Sequence, residues 1–157
     1  MTKLAIALLS PLLALAACSS GHEAGKAGIE VDNAWVRLPA LPDRPGAAYF
    51  TLRNNGPATV LTGLQSPRVQ RIELHDSQMG SGTMAGMMDM APVSQVAIPQ
   101  QGIVKFEPAG RHAMLFGIDP KAQPGDTLVL TLSFRDGRKI DAQAQLVTAG
   151  SPPPREQ

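Results

Sequence analysis

Thr127-Leu128-Val129-Leu130-Thr131-Leu132-Ser133-Phe134, followed by Asp136-Gly137 and then Lys139 to Val147, is the most legible stretch of this chain. Leu128, Leu130, Leu132 and Phe134 alternate with Val129, Thr131 and Ser133, the period of a strand with one buried face. Asp136-Gly137 predicts a hairpin turn into a second strand. Outward from this pair, short segments of the same kind recur. They are Ile29-Glu30-Val31 leading into Ala34 to Leu38, Ala47 to Asn54, Val60 to Leu64, Val69 to His75, Val93 to Ile98, Ile103 to Phe106 and His112 to Ile118. Pro39, Pro42 and Asn55-Gly56-Pro57 punctuate them, and no ten-residue window carries a helical period. Seven to nine short strands without an internal repeat predict an all-β single domain, an antiparallel β-sandwich or Greek-key barrel. Trp35 and Phe50 are expected in its core.

Met1-Thr2-Lys3, the apolar run from Leu4 to Leu15 and the small residues before Cys18 read as a secretory signal peptide over 1–17. The run is short for a spanning helix, and Pro11 interrupts it. Cys18 is the only cysteine, and with the preceding Leu15-Ala16-Ala17 it forms a tetrapeptide that resembles the bacterial lipobox. An unpaired thiol is a liability in an oxidising compartment, so Cys18 is expected to be acylated. The membrane is then reached through the lipid anchor only. Ser19, rather than aspartate, follows the cysteine, and its resemblance to Gram-negative sorting signals implies the outer membrane, with the domain expected in the periplasm. Residues 18–28 read as the lipidated cysteine and a flexible tether, in which His22 is expected to be a solvated residue. Residues 29–147 form the domain, and 148–157 read as a disordered, proline-rich tail. Charged residues make up 17% of the chain and the formal net charge is +1, which leaves no electrostatic footprint for nucleic acid.

Five of the seven methionines (Met79, Met84, Met87, Met88, Met90) crowd into twelve residues. Between them lie Gly80, Ser81, Gly82, Thr83, Ala85, Gly86 and Asp89, which is loop chemistry and offers little core to fill. Met84, Met87 and Met88 stand at i, i+3 and i+4, but Gly82 and Gly86 disfavour a helix there. Flexible methionine surfaces also bind apolar peptides. Thioether sulfur, however, is a soft ligand that prefers Cu(I), and histidines flank the cluster. His75 ends a strand before it. His112 and Met114 follow it, two residues apart, so on a strand both point to one face. The turn Glu107-Pro108-Ala109-Gly110 would place that pair at a domain end, within reach of His75.

These residues give the chain a specific likeness. It resembles the PCuAC family of periplasmic copper chaperones, which carry a histidine, a methionine-bearing loop, a methionine, about 21 residues and then His-x-Met. Met90 stands 21 intervening residues before His112, and Ala113 alone separates His112 from Met114. Ala34-Trp35-Val36-Arg37, Ala47-Ala48-Tyr49-Phe50, Glu73-Leu74-His75, Gly110 to Leu115 and Gly125-Asp126 also match the family's look. The resemblance spans about 29–147 and implies a cupredoxin-like sandwich whose metal ligands are His75, Met90, His112 and Met114. Fourteen residues separate His75 from Met90, a few more than the family's usual loop. Met87 or Met88 in place of Met90, or a second ion on Met79, Met84, Met87 and Met88, are the alternatives.

Two imidazoles and two thioethers without a thiolate make a neutral, soft site suited to Cu(I). Blue-copper electron transfer needs a cysteine ligand, and Cys18 is spent at the lipobox. No Cys-x-x-Cys, nucleophile elbow or His-Glu-x-x-His occurs, so no enzyme is expected. The expected function is a copper metallochaperone that passes Cu(I) by ligand exchange to a copper-accepting protein. The resemblance names cytochrome c oxidase copper-centre assembly as destination, the acceptor being an oxidase subunit or another copper chaperone. A periplasmic copper scavenger or buffer without delivery is the alternative.

Overall fold

The computed structural model describes residues 28–79 and 88–154, so Cys18, Met84 and Met87 lie outside the described residues. Among the described residues there are ten strands and no helix: β1 (Ile29–Arg37), β2 (Gly46–Asn54), β3 (Thr59–Gln65), β4 (Val69–Met79), β5 (Met88–Val93), β6 (Val96–Ile98), β7 (Ile103–Phe106), β8 (His112–Ile118), β9 (Thr127–Phe134) and β10 (Lys139–Val147). They hydrogen-bond in the order β5-β4-β8-β2-β1-β10-β9-β3-β6, with β7 also on β2, in one nearly closed, barrel-like sheet. Every pairing is antiparallel except β1 with β10, which run parallel.

The alternation in β9 is used as expected. Leu128, Leu130, Leu132 and Phe134 are buried, and across the hairpin so are Ala142, Ala144 and Leu146 of β10. Phe50 stacks on Phe106 with ring centres 4.2 Å apart inside the same core. Trp35 is buried as expected, but not on the face that its position in the strand suggests. It stands outside the core cluster, which takes its neighbour Val36 instead. A bulge explains this. The β1–β2 register shifts between Asp32 and Trp35, and Asn33 there adopts a left-handed φ of 51°. One extra residue reverses the strand's phase, so Val36 turns inward and Trp35 turns to the outer face against Tyr49, 4.3 Å between ring centres.

The strand boundaries around the methionine-rich stretch are corrected. The segment Val93 to Ile98 is not one strand but the end of β5 and all of β6, and β4 runs past His75 to Met79. Pairing from Leu74↔Val93 to Met79↔Met88 carries Met88 and Met90 into a strand where a loop was expected. Pro92 is tolerated because β5 is an edge strand. Residues 148–154, part of the stretch read as a proline-rich tail, carry a turn. Ser151 N–H donates to Thr148 O at 3.1 Å, and Arg37 Nη2 donates to Ser151 O at 3.3 Å.

Leu130 is fully buried, so Leu130→Ala should cost about 2–5 kcal/mol, read as a lower urea midpoint at unchanged slope. Hydrogen bonds from the Arg138 guanidinium, then its backbone N–H and the Thr59 hydroxyl, hold the Asp136 carboxyl well below the usual carboxylate range. A depressed folded value gives stability that is present above the unfolded pKa of about 3.9 and lost as pH falls below it. Asp136→Asn should therefore lower the melting temperature at pH 7, by a gap that narrows steadily as pH falls from about 4 towards 2. A gap that stays constant with pH would contradict this.

Candidate metal centre

The antiparallel register of β4 on β8 sets the site. Leu74 lies opposite Ala113 and Ile72 opposite Leu115, and Leu74, Ala113 and Leu115 are buried in the core. Side chains alternate across a strand, so the neighbours of these residues must stand on the outer face. His75 there lies directly opposite His112, and Glu73 opposite Met114. The two imidazole rings are 5.8 Å apart between centres and inclined by 28°. A metal–imidazole bond is about 2 Å, so this separation leaves room for one ion between the rings.

Met90 joins the same face from β5. It pairs with Ser77, two residues beyond His75, which makes it a diagonal neighbour of His75. Diagonal Cα atoms in a sheet are roughly 7–8 Å apart, within reach of a long side chain. Met90 is 58% exposed, whereas Met114 is partly buried and His112 is only 7% exposed. Three of the four nominated residues thus sit on adjoining pairs of the β4–β8 ladder, and the fourth forms an open rim. Met79 and Met88 pair at the far end of the β4–β5 hairpin, two positions beyond Met90 and Ser77. Among the described residues no three of His, Cys, Asp and Glu group as a metal cage.

Hydrogen bonds fix the rings. His112 Nδ1–H donates to Gly110 O at 2.8 Å, a carbonyl presented by the turn Glu107–Gly110. That turn is closed by Gly110 N–H on Glu107 O at 3.0 Å and carries Ala109 in a left-handed conformation, φ 64°. The remaining His112 nitrogen, Nε2, keeps its lone pair. His75 Nε2 lies 3.3 Å from Glu73 Oε2, while its Nδ1 is buried with no protein partner. A buried, unpartnered ring nitrogen costs stability unless something occupies it.

Three contributors escaped sequence reading. Glu73 was visible only as part of a matching tripeptide, although a period of two from His75 places it on the same face. Tyr49 stacks toward His112 at 6.5 Å between ring centres and toward Trp35 at 4.3 Å, walling one flank of the pair with aromatic surface. On the other side of the strands, Arg111 Nη2 donates to Asp76 Oδ2 at 2.6 Å and clasps the residues next to both histidines.

Fold and face together define a PCuAC-type domain. The copper-bound PCuAC domain from PmoF2 superposes with a TM-score of 0.63 at 19% identity, over 76% of this chain and 92% of that one. The solution structure of CuI-DR1885 from Deinococcus radiodurans gives a TM-score of 0.58 at 28% identity, over 81% and 85%. The family named "Putative lipoprotein LpqE-like" matches residues 29–146, and the chain belongs to it. A relative from Leifsonia xyli subsp. xyli, "Putative lipoprotein Lxx21020", is 31% identical over 134 residues, covering 80% of this chain and 78% of that protein.

The Asp76–Arg111 clasp is partly exposed, which discounts its strength to about 1 kcal/mol. Asp76→Ala should lower stability by that amount in urea denaturation, with backbone amide shifts concentrated at His75 and His112. Shifts confined to residues remote from this pair would count against a positioning role for the clasp.

Proposed function

We propose that this protein is a Cu(I)-binding metallochaperone of the cell envelope, with His75, Met90, His112 and Met114 as ligands. The observation that carries the reading is the cross-strand pair of His75 and His112, flanked on one sheet face by two thioethers. Neutral nitrogen and soft sulfur donors favour Cu(I) over harder divalent ions. Copper-bound forms of PCuAC-type neighbours support the same cargo.

The unequal exposure of the ligands suits transfer. His112 and Met114 are held by the sheet, whereas Met90 stands on an edge strand in contact with solvent. An incoming ligand can displace the Met90 thioether first and take the ion stepwise, with no covalent chemistry in the protein. Delivery goes to a copper-accepting partner, with cytochrome c oxidase copper-centre assembly as the destination. Cys18 would carry the lipid that holds the domain at the periplasmic face of the outer membrane, and the lipoprotein character of the family supports that anchoring. A copper scavenger without delivery is the second reading, favoured by the surplus of methionines between Met79 and Met90.

A transfer assay separates the two. The Cu(I)-loaded domain should metallate an apo oxidase copper domain or a thiol-bearing acceptor faster than a Cu(I) chelate of equal affinity. No acceleration would leave the scavenger. Protons compete with metal for imidazole nitrogen, so Cu(I) affinity should weaken as the solution is acidified. Affinity flat between pH 8 and 5 would rule imidazole ligation out. Met90→Leu should weaken Cu(I) binding more than Met79→Leu or Met84→Leu, and equal losses would mean that the methionines act as an interchangeable pool.

A further inference from the structure

The two histidines make different hydrogen bonds, and that difference has a chemical consequence. A carboxylate only accepts, so the 3.3 Å contact between His75 Nε2 and Glu73 Oε2 requires the ring proton on Nε2. The lone pair then sits on Nδ1, the buried atom that finds no partner in the protein. His112 is the reverse case. Its Nδ1–H is committed to Gly110 O at 2.8 Å, which leaves the lone pair on Nε2.

We propose that Glu73 is a positioning residue that holds His75 in the Nε2–H tautomer, so that Cu(I) is taken by Nδ1 of His75 and Nε2 of His112. The proposal rests on the copper reading above and deepens it. Glu73 is itself oriented. Arg71 pairs with its other carboxylate oxygen, and the Arg71 guanidinium lies over the Phe116 ring, 4.0 Å from its centre. Arg71, Glu73 and His75 stand at i, i+2 and i+4 on β4, opposite Phe116, Met114 and His112 of β8, so the relay runs along one face. A carboxylate behind a ligating imidazole fixes the ring's orientation and raises its basicity, and losing such a partner typically lowers metal affinity 10–100-fold. Glu73 also brings a negative charge close to an ion whose ligands are all neutral.

The test is imidazole 15N NMR on the folded domain, first without metal and then with one equivalent of Cu(I), on wild type, Glu73→Ala and Glu73→Gln. In the metal-free wild type His75 should show a protonated Nε2 and a bare Nδ1, and His112 the opposite pattern. Glu73→Ala should let His75 sample both tautomers and weaken Cu(I) binding by roughly 10-fold or more. Glu73→Gln, whose amide oxygen still accepts the Nε2 proton, should keep the tautomer and recover most of the affinity, a rescue that loss of folding would not give. Cu(I) should shift Nδ1 of His75 and Nε2 of His112. Cu(I) that moves both rings but enters His75 through Nε2, with Glu73→Ala binding like wild type, would overturn the role of Glu73 alone. Cu(I) that moves neither ring would overturn the copper reading itself.

Discussion

Everything on the face that carries His75, His112 and Met114 depends on the register in which β4 lies against β8. Burial of Leu74, Ala113 and Leu115 fixes that register from the inside. Apolar burial is worth about 25 cal/mol per Å2, and a one-residue slip would turn each of these side chains to solvent and both histidines into the core. The hydrophobic effect on one face of the sheet therefore aligns the donors on the other. No polar contact at the site needs to be strong for the rings to face each other.

Around that alignment the local interactions decide which atoms are presented. The turn before β8 offers Gly110 O to one ring, and Glu73 offers a carboxylate to the other. Asp76 and Arg111 tie the strands together one residue away. Tyr49 and Trp35 close one flank, and Trp35 reaches that flank only because the bulge at Asn33 reverses the phase of β1. The result is a graded site, with a rigid, nearly buried imidazole at one end and an exposed thioether at the other. Under the proposed copper reading, that asymmetry would combine tight holding with easy release, because exchange would begin at the side chain that water already reaches.

Much of this was legible in the sequence. Leu128 to Phe134 declared a strand by strict alternation, Asp136-Gly137 declared its hairpin, and His112-Ala113-Met114 declared two donors on one face. What was hidden arose from pairing rather than from composition. Ser77-Gln78-Met79 and Met88-Asp89-Met90 have weak strand propensity and flank a glycine-rich stretch, so they read as loop. They become strand because Leu74↔Val93 sets a register that the next residues can follow. The burial of Trp35 was legible from its size, but the face it packs on was not, because a single left-handed Asn33 changes the phase without any sign in the apolar pattern. The role of Glu73 needed the observed distance to His75, since a carboxylate two residues from a histidine is usually only a solvated neighbour.

The central claim is that two ring nitrogens and two thioether sulfurs on this one face enclose a single Cu(I). X-ray absorption on the folded domain carrying one equivalent of Cu(I) tests it most directly. A first shell of two imidazole nitrogens at about 2 Å and two sulfurs at about 2.3 Å is expected, by the distances such donors make to a neighbouring ion of similar size. A shell of sulfur alone, or of nitrogen and oxygen without sulfur, would contradict it.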